Sequence, residues 1–463
     1  MRNIRKLRCI PSCDGYHAER GVPQAGCPRI QASISEGPAK TCAWAMSRIL
    51  MCVSEAPYGP VNGYRLQVSA LLERLSRSHD VVVVGVRGND QAPDDGGDDR
   101  LKLLSPFGGR ASDKAASGAE ALLHGTPMRV AALARIMREP VREQLERFKP
   151  DIVHVASPGR LAWLAELLGP TPGILAALDA WHLNVAARAQ GSNGLKRKLL
   201  EAEVLRVRRF IRRWHHRFAL VTVVSEADKR ELIAVDPRLR IAVVPNGVDT
   251  HMYSENGTRG DGRLIFHGVM NYAPNEAAAE FLVKSVMPLI QPACPNVRLS
   301  IVGRSPSERV RRLAAYPGVE VTGEVPEMRP WLSRSSVAVC PMINGTGIRN
   351  KLLEAMANSL PCVTTPLALQ GIDAEPGRHL LVASDALGIS EKVVQILRDQ
   401  RYAREVGRAG HDYVRIHHNW DTVVESYERV YAEAVSESTR NQATAESSLP
   451  KPAETDPDSQ ENL

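Results

Sequence analysis

Apolar positions along the chain fall into two series, each alternating short hydrophobic runs with stretches of helical period. In the first series, Arg48–Ser54, Asp80–Val86, Leu101–Leu104, Asp151–Ala156, Gly173–Leu178, Leu220–Ser225 and Arg240–Pro245 read as strands. Between them, Tyr64–Ser76, Pro127–Phe148, Gly159–Leu168, Gly194–Phe218 and Glu226–Val235 read as helices. In the second series the strands are Leu264–Gly268, Val297–Val302, Val319–Thr322, Val337–Pro341, Pro361–Thr365 and His379–Val382. Its helices are Asn275–Leu289, Pro306–Ala315, Met328–Arg334, Asn350–Asn358 and Gly388–Asp399, with final helices over Gln400–Ala434. Strands and helices alternating at this pace predict parallel sheets. The fold class is therefore α/β: two Rossmann-like, doubly wound domains facing a central cleft, where ligands meet the carboxyl ends of the strands.

The same pattern sets the boundaries. Residues 1–45 keep no sustained period and read as a disordered extension, 46–245 as the first domain and 246–420 as the second. A helix over 421–436 is expected to pack back on the first domain. Residues 437–463 carry six acids against two bases and few apolar groups, and are expected to stay disordered.

Composition changes this picture little. A length of 463 residues exceeds what one core usually organises, in keeping with two domains. The net charge of +7 suits a polyanion, an anionic membrane or a phosphorylated substrate equally. Aromatics at 5% with no basic–aromatic interleaving weigh against nucleic acid. No apolar run reaches the ~18 residues that a membrane-spanning helix needs. Cys9, Cys13, Cys27 and Cys42 crowd the first segment without a CxxC pair, so no metal site is expected, and the cysteine usage fits a reducing cytoplasm.

The densest chemistry lies in Val337–Ala357, VAVCPMINGTGIRNKLLEAMA. A buried strand ends at Pro341, Gly345 and Gly347 bracket Thr346, and a helix begins. Glycines let backbone N–H groups approach an anion closely, and a helix start adds orphan donors and partial positive charge. Arg349 and Lys351 add full charge. Glu354 follows Lys351 by three residues, about 4.5 Å along the axis. There it can accept hydrogen bonds from vicinal ribose hydroxyls while the first turn holds a diphosphate. The competing reading is a plain strand-to-helix turn with solvated charges.

This segment resembles the donor-site signature of the retaining family-four glycosyltransferases of the GT-B type, in the subset with a GxGxRxKxLEA motif. The likeness extends over ILMCVSEAPYGPVNGY, TVVSEADKREL, IAVVPNGVD, FHGVMNYAPNEAA, LSIVGRSP and VTTPLALQGI, followed by EPGRHLLVA, in that order, and so covers roughly Arg48–Glu433. It implies a nucleotide-diphosphate sugar as donor, held by the second domain. The acceptor would be a glycan, lipid-linked or small molecule bound by the first domain, with retention of configuration and no cofactor or metal. Glu354 matches the family's ribose-binding second glutamate. The first glutamate of that pair falls at Thr346, a departure that leaves the donor-sugar contacts open. Relatives often carry an Arg/Lys pair after the first strand of the second domain, absent from FHGVMNYAPNE. Arg349, Lys351 and Arg304 are the replacements for diphosphate charge, with Gly345, Thr346 and Gly347 as backbone donors. The loop holding Gly59 and Gly63 would face the same diphosphate. His154 and His182, the latter beside Asp179, are candidates to point into the cleft near the reacting sugar, although a lone histidine is more often structural. An epimerase of the same fold and a non-catalytic sugar-nucleotide-binding protein are the alternatives.

Finally, VLRVRRFIRRWHHRF at Val204–Phe218 sets Val207, Phe210, Ile211, Trp214 and Phe218 on an apolar stripe among arginines. The stripe can lie on an anionic bilayer, in peripheral contact with the inner face of the membrane, or pack on the sheet.

Overall fold

The structure is a computed structural model and describes residues 46–57, 63–87, 100–104, 126–250, 262–344 and 350–447. Seven strands form the first sheet: β1 (Arg48–Val53), β2 (Asp80–Val86), β3 (Leu101–Leu104), β4 (Ile152–Ala156), β5 (Gly173–Leu178), β6 (Leu220–Val223) and β7 (Ile241–Val243). Their order is β3-β2-β1-β4-β5-β6-β7, with every pairing parallel. Six more form the second: β8 (Arg263–His267), β9 (Arg298–Val302), β10 (Val319–Gly323), β11 (Val337–Cys340), β12 (Cys362–Thr364) and β13 (Leu381–Val382). Their order, β10-β9-β8-β11-β12-β13, repeats the winding of the first sheet, again with parallel pairing. Parallel strands need helical crossovers that cover both faces, which is why the central strands read as unbroken apolar runs. In each sheet the winding reverses beside its first strand, between β1 and β4 and between β8 and β11. A doubly wound sheet binds its ligand at that reversal.

The chain passes between the domains twice, and the two crossings are zipped together. Val248 N–H donates to His418 O at 2.7 Å, and His418 Nδ1 lies 2.9 Å from Asn246 O. Gly247 packs against the Trp420 indole so closely that a Cβ would sit 2.4 Å from it. The helix Trp420–Ser447 then runs back along the first sheet, and Trp420, Val423, Tyr427 and Tyr431 join the core with Ile49, Met51 and Ile152.

Three expectations need correction. Gly159–Leu168 is not a regular helix. Gly159 has φ +75°, and only a 3-10 turn at Ala162–Glu166 follows. A helix at Trp181–Gln190 goes unread in the sequence, which offers it no side-chain cap. The terminal helix continues past 436 to Ser447, tied down where Arg240 pairs with Glu433 and Glu437. The apolar stripe of the basic helix Gly194–Trp214 takes the second of its two readings and packs inward: Val207, Phe210, Ile211 and Trp214 are buried in the first domain's core with Leu164 and Leu175.

Candidate functional site

The reversal point of the second sheet gathers a compact polar set. β8 ends at His267, a buried ring whose Nε2 lies 2.9 Å from Glu354 Oε2 on the helix Asn350–Ala357 that follows β11. That helix buries Leu352, Leu353 and Met356, which turns Lys351 and Glu354 toward the end of β8. Lys351 Nζ donates to Asn275 Oδ1 at 2.7 Å and stands 4.4 Å from the Phe266 ring centroid. Gly268 makes room for this cluster: a Cβ there would lie 2.9 Å from Asn275 Nδ2 and 3.0 Å from Lys351 Nζ. Gly303 is held as tightly, its missing Cβ pointing into Gly268 O. Burial alone would raise the Glu354 carboxyl. The His267 hydrogen bond and the charges of His267 and Lys351 outweigh it and hold that carboxyl below the ordinary range. Arg304, after β9, is half-buried, and its carbonyl accepts from Met270 N–H at 2.9 Å, which locks its loop to the β8 loop.

The two domains meet here through helix starts. A Cβ on Gly63, at the start of the helix Gly63–Ser78, would lie 3.1 Å from Asn350 Nδ2. Asn350 Oδ1 also accepts from Asn246 Nδ2 at 2.9 Å. Two helix N-termini thus converge from opposite sides of the cleft, each contributing orphan N–H donors and partial positive charge. Gly59, Gly345, Thr346, Gly347 and Arg349 lie outside the described residues.

A different set sits at the carboxyl end of β5. Leu178 takes a left-handed φ of +66°, a conformation costly for a side chain of its size, and the β5–β6 register shifts there. The twist presents Asp179, whose Oδ2 accepts from Asn184 Nδ2 at 2.7 Å while its buried Oδ1 has no hydrogen-bond partner among the described residues. Burial pushes Asp179 up to about 6, the Asn184 bond opposing it and the Asp228 charge adding to it. His182 is buried in the next helix. Its Nε2 lies 3.9 Å from Glu231 Oε2, and its Nδ1 has no hydrogen-bond partner among the described residues. Burial, then Arg208, lowers it to about 4. Behind it His215 is buried with neither ring nitrogen bonded among the described residues, and burial lowers it to about 3.

His154 does not point into the cleft. On β4 it shares a face with Ile152 and Ala156, the face covered by the terminal helix. The ring is fully buried, its Nδ1 2.6 Å from the Tyr431 hydroxyl and its centroid 5.2 Å from that of Tyr427. Burial lowers it to about 3, so it is a neutral core residue. Sequence reasoning missed His267 and Asn275. The available signal was a polar residue closing the buried run LIFH directly before a glycine, the place where a strand end meets its ligand.

The geometry can be set beside known proteins. Residues 61–252 match the family Glycosyltransferase Family 4, and residues 261–399 match Glycosyl transferases group 1. A sucrose-phosphate synthase from Thermosynechococcus elongatus superposes with a TM-score of 0.59 at 16% identity, covering 86% of this chain and 100% of that one. HepE of Anabaena, solved with UDP and glucose, superposes with a TM-score of 0.58 at 12% identity over 83% of this chain and 99% of its own. An uncharacterised 44.6 kDa protein from the cps region of Klebsiella pneumoniae is 22% identical over 167 residues, 34% of this chain and 42% of that relative. The chain therefore spans less than half the length of that curated relative.

Proposed function

Since the chain is a glycosyltransferase of the GT-B fold, carrying the family-four and group-1 domains, we propose that it transfers a sugar from a nucleoside-diphosphate sugar with retention of anomeric configuration. The observation that carries this reading is the His267–Glu354, Lys351–Asn275 set at the reversal point of the second sheet. Glu354, ionised and held by His267, is oriented to accept from vicinal ribose hydroxyls. Lys351, Arg304 and the two converging helix starts supply positive charge for a diphosphate. These groups make a resident metal unnecessary for charge neutralisation, so chelator should leave the rate unchanged. That HepE binds UDP and UDP-glucose supports a nucleotide-sugar donor of this class.

In this reading the acceptor, a glycan or lipid-linked sugar, enters from the first domain and meets Asp179 and His182. The leaving diphosphate takes the acceptor hydroxyl proton on the same face of the sugar, and neutral His182 orients the reacting hydroxyls. Closure of the domains about the Asn246–Val248 and His418–Trp420 crossings excludes water, the competing acceptor.

Incubating the protein with UDP-, GDP-, ADP- and dTDP-sugars and an acceptor pool tests the proposal. Nucleoside diphosphate should be released in step with a new glycoside whose anomeric configuration, read by NMR, matches the donor's. Epimerised donor with no transfer would favour the isomerase alternative, and binding without turnover would favour a non-catalytic role.

A further inference from the structure

The basic helix Gly194–Trp214 has one face buried in the first domain and another left exposed among the described residues. Eight cations (Lys196, Arg197, Lys198, Arg206, Arg208, Arg209, Arg212, Arg213) oppose two acids (Glu201, Glu203) along it. Several of these cations are engaged. Arg206 pairs with Glu203, Arg197 with Glu201, Arg212 donates to Val235 O, and Arg213 stacks on Trp214. The outer face holds something a solvated charged helix has no use for. Leu195, Leu199 and Leu205 are 74%, 60% and 55% exposed.

At about 100° per residue these three leucines fall within an arc of about 120°, over roughly 15 Å of helix length. Lys198 and Arg209 lie in the same arc and make no ion pair among the described residues. We propose that this outer face docks on an anionic lipid bilayer, the leucines entering the headgroup–acyl boundary and Lys198 and Arg209 meeting the headgroup charge. Long cationic side chains can bury their stems beside the leucines and keep their charge at the headgroups.

Charge complementarity selects this occupant over two others. A second copy would bring the same six excess positive charges against themselves. A nucleic acid would satisfy the cations but leave the leucines in water. The surface is also continuous with the acceptor-side cluster: Phe210, on the helix's inner face, meets Trp181 edge-on with centroids 6.4 Å apart, and His182 follows Trp181. A bilayer under the outer face would lie directly behind that cluster. The inference stands whatever reaction the cleft performs.

Co-sedimentation of the full chain with phosphatidylcholine vesicles, with and without phosphatidylglycerol, tests it. The wild type should pellet with the anionic vesicles and stay in solution with the neutral ones. A Leu195→Ser/Leu199→Ser/Leu205→Ser variant and a Lys198→Gln/Arg209→Gln variant should each bind at least about tenfold more weakly, with unchanged thermal midpoints because every changed side chain is on the helix's outer face. Wild-type protein that ignores anionic vesicles overturns the proposal, as does equal binding to neutral ones. Binding lost only with the charges and untouched by the leucine changes would mark a polyanion site and overturn it too. Concentration-dependent self-association abolished by the leucine variant, without vesicle binding, would reassign the face to a second copy.

Discussion

The two sheets share a winding but treat polar groups at their carboxyl ends in opposite ways. In the second domain four of these groups are paired: His267 holds Glu354, Asn275 holds Lys351, and the carboxylate stays ionised despite its burial. In the first domain Asp179 Oδ1, His182 Nδ1 and both His215 nitrogens are buried without hydrogen bonds among the described residues, the histidines are held neutral, and Asp179 is pushed up to about 6. A buried polar atom without a partner costs free energy, so such groups persist where something other than stability retains them. The paired end suits a ligand of fixed charge and shape, a nucleoside diphosphate. The unpaired end suits a ligand rich in hydroxyls that completes the missing bonds on arrival.

That contrast can be broken most severely at the paired end. Replacing Glu354 with Gln and Lys351 with Ala together should lower kcat/KM for the donor by about 10³, the scale of losing charge-assisted contacts to a phosphoester and a diol. Steady-state kinetics and a thermal melt check this, and an undiminished rate would dissolve the distinction between the two ends. At the unpaired end His182→Ala should lower kcat by about 10² while leaving donor affinity close to wild type. Equal losses in donor affinity and kcat would mean that both ends hold the donor.

A third test uses pH. His154 and His215 are lowered to about 3 and His182 to about 4, against an ordinary value near 6.5. Below about pH 6.5 the unfolded chain therefore takes up protons that the folded chain refuses, and stability should fall as pH drops from there toward 3. Asp179, raised to about 6, acts in the other sense between about pH 6 and 4 and offsets part of the loss. Urea unfolding at pH 7 and pH 5 should show this slope, and His154→Phe should flatten it. An unchanged slope in that variant would mean His154 titrates normally. The smallest effect is expected at His267, where Gln keeps a donor toward Glu354. His267→Gln should raise the donor KM about threefold and His267→Ala about tenfold, the cost of one hydrogen bond to a charged group, with kcat little changed.

Much of this arrangement can be read from residue order alone. Strand runs such as VVVV at Val81–Val84 and the switch to helical period after each of them give both sheets, because fully covered parallel strands leave a continuous apolar trace. Glu354 and Lys351 are visible because glycines, cation and carboxylate stand at fixed offsets on one helix. What stays hidden depends on distant partners. The face of β4 that His154 occupies is decided by Tyr431, 277 residues later, and nothing near His154 records it. His267 and Glu354 are 87 residues apart and meet only when β8 pairs beside β11. The stripe of Val207, Phe210, Ile211 and Trp214 has the period of a bilayer-facing helix and of a core-facing one alike. Only packing chose between them, and it moved the exposed apolar face to Leu195, Leu199 and Leu205.

The central claim is that the second domain's reversal point is built for a nucleoside diphosphate. Its most direct test is the thermal midpoint of wild type and Glu354→Gln titrated with UDP, GDP, ADP and dTDP. A ligand that binds only the folded state raises the midpoint, and raises it further the tighter it binds. One of the four should raise the wild-type midpoint by several degrees, with the shift largely lost in Glu354→Gln. Equal shifts in both proteins, or none with any nucleotide, would contradict the account.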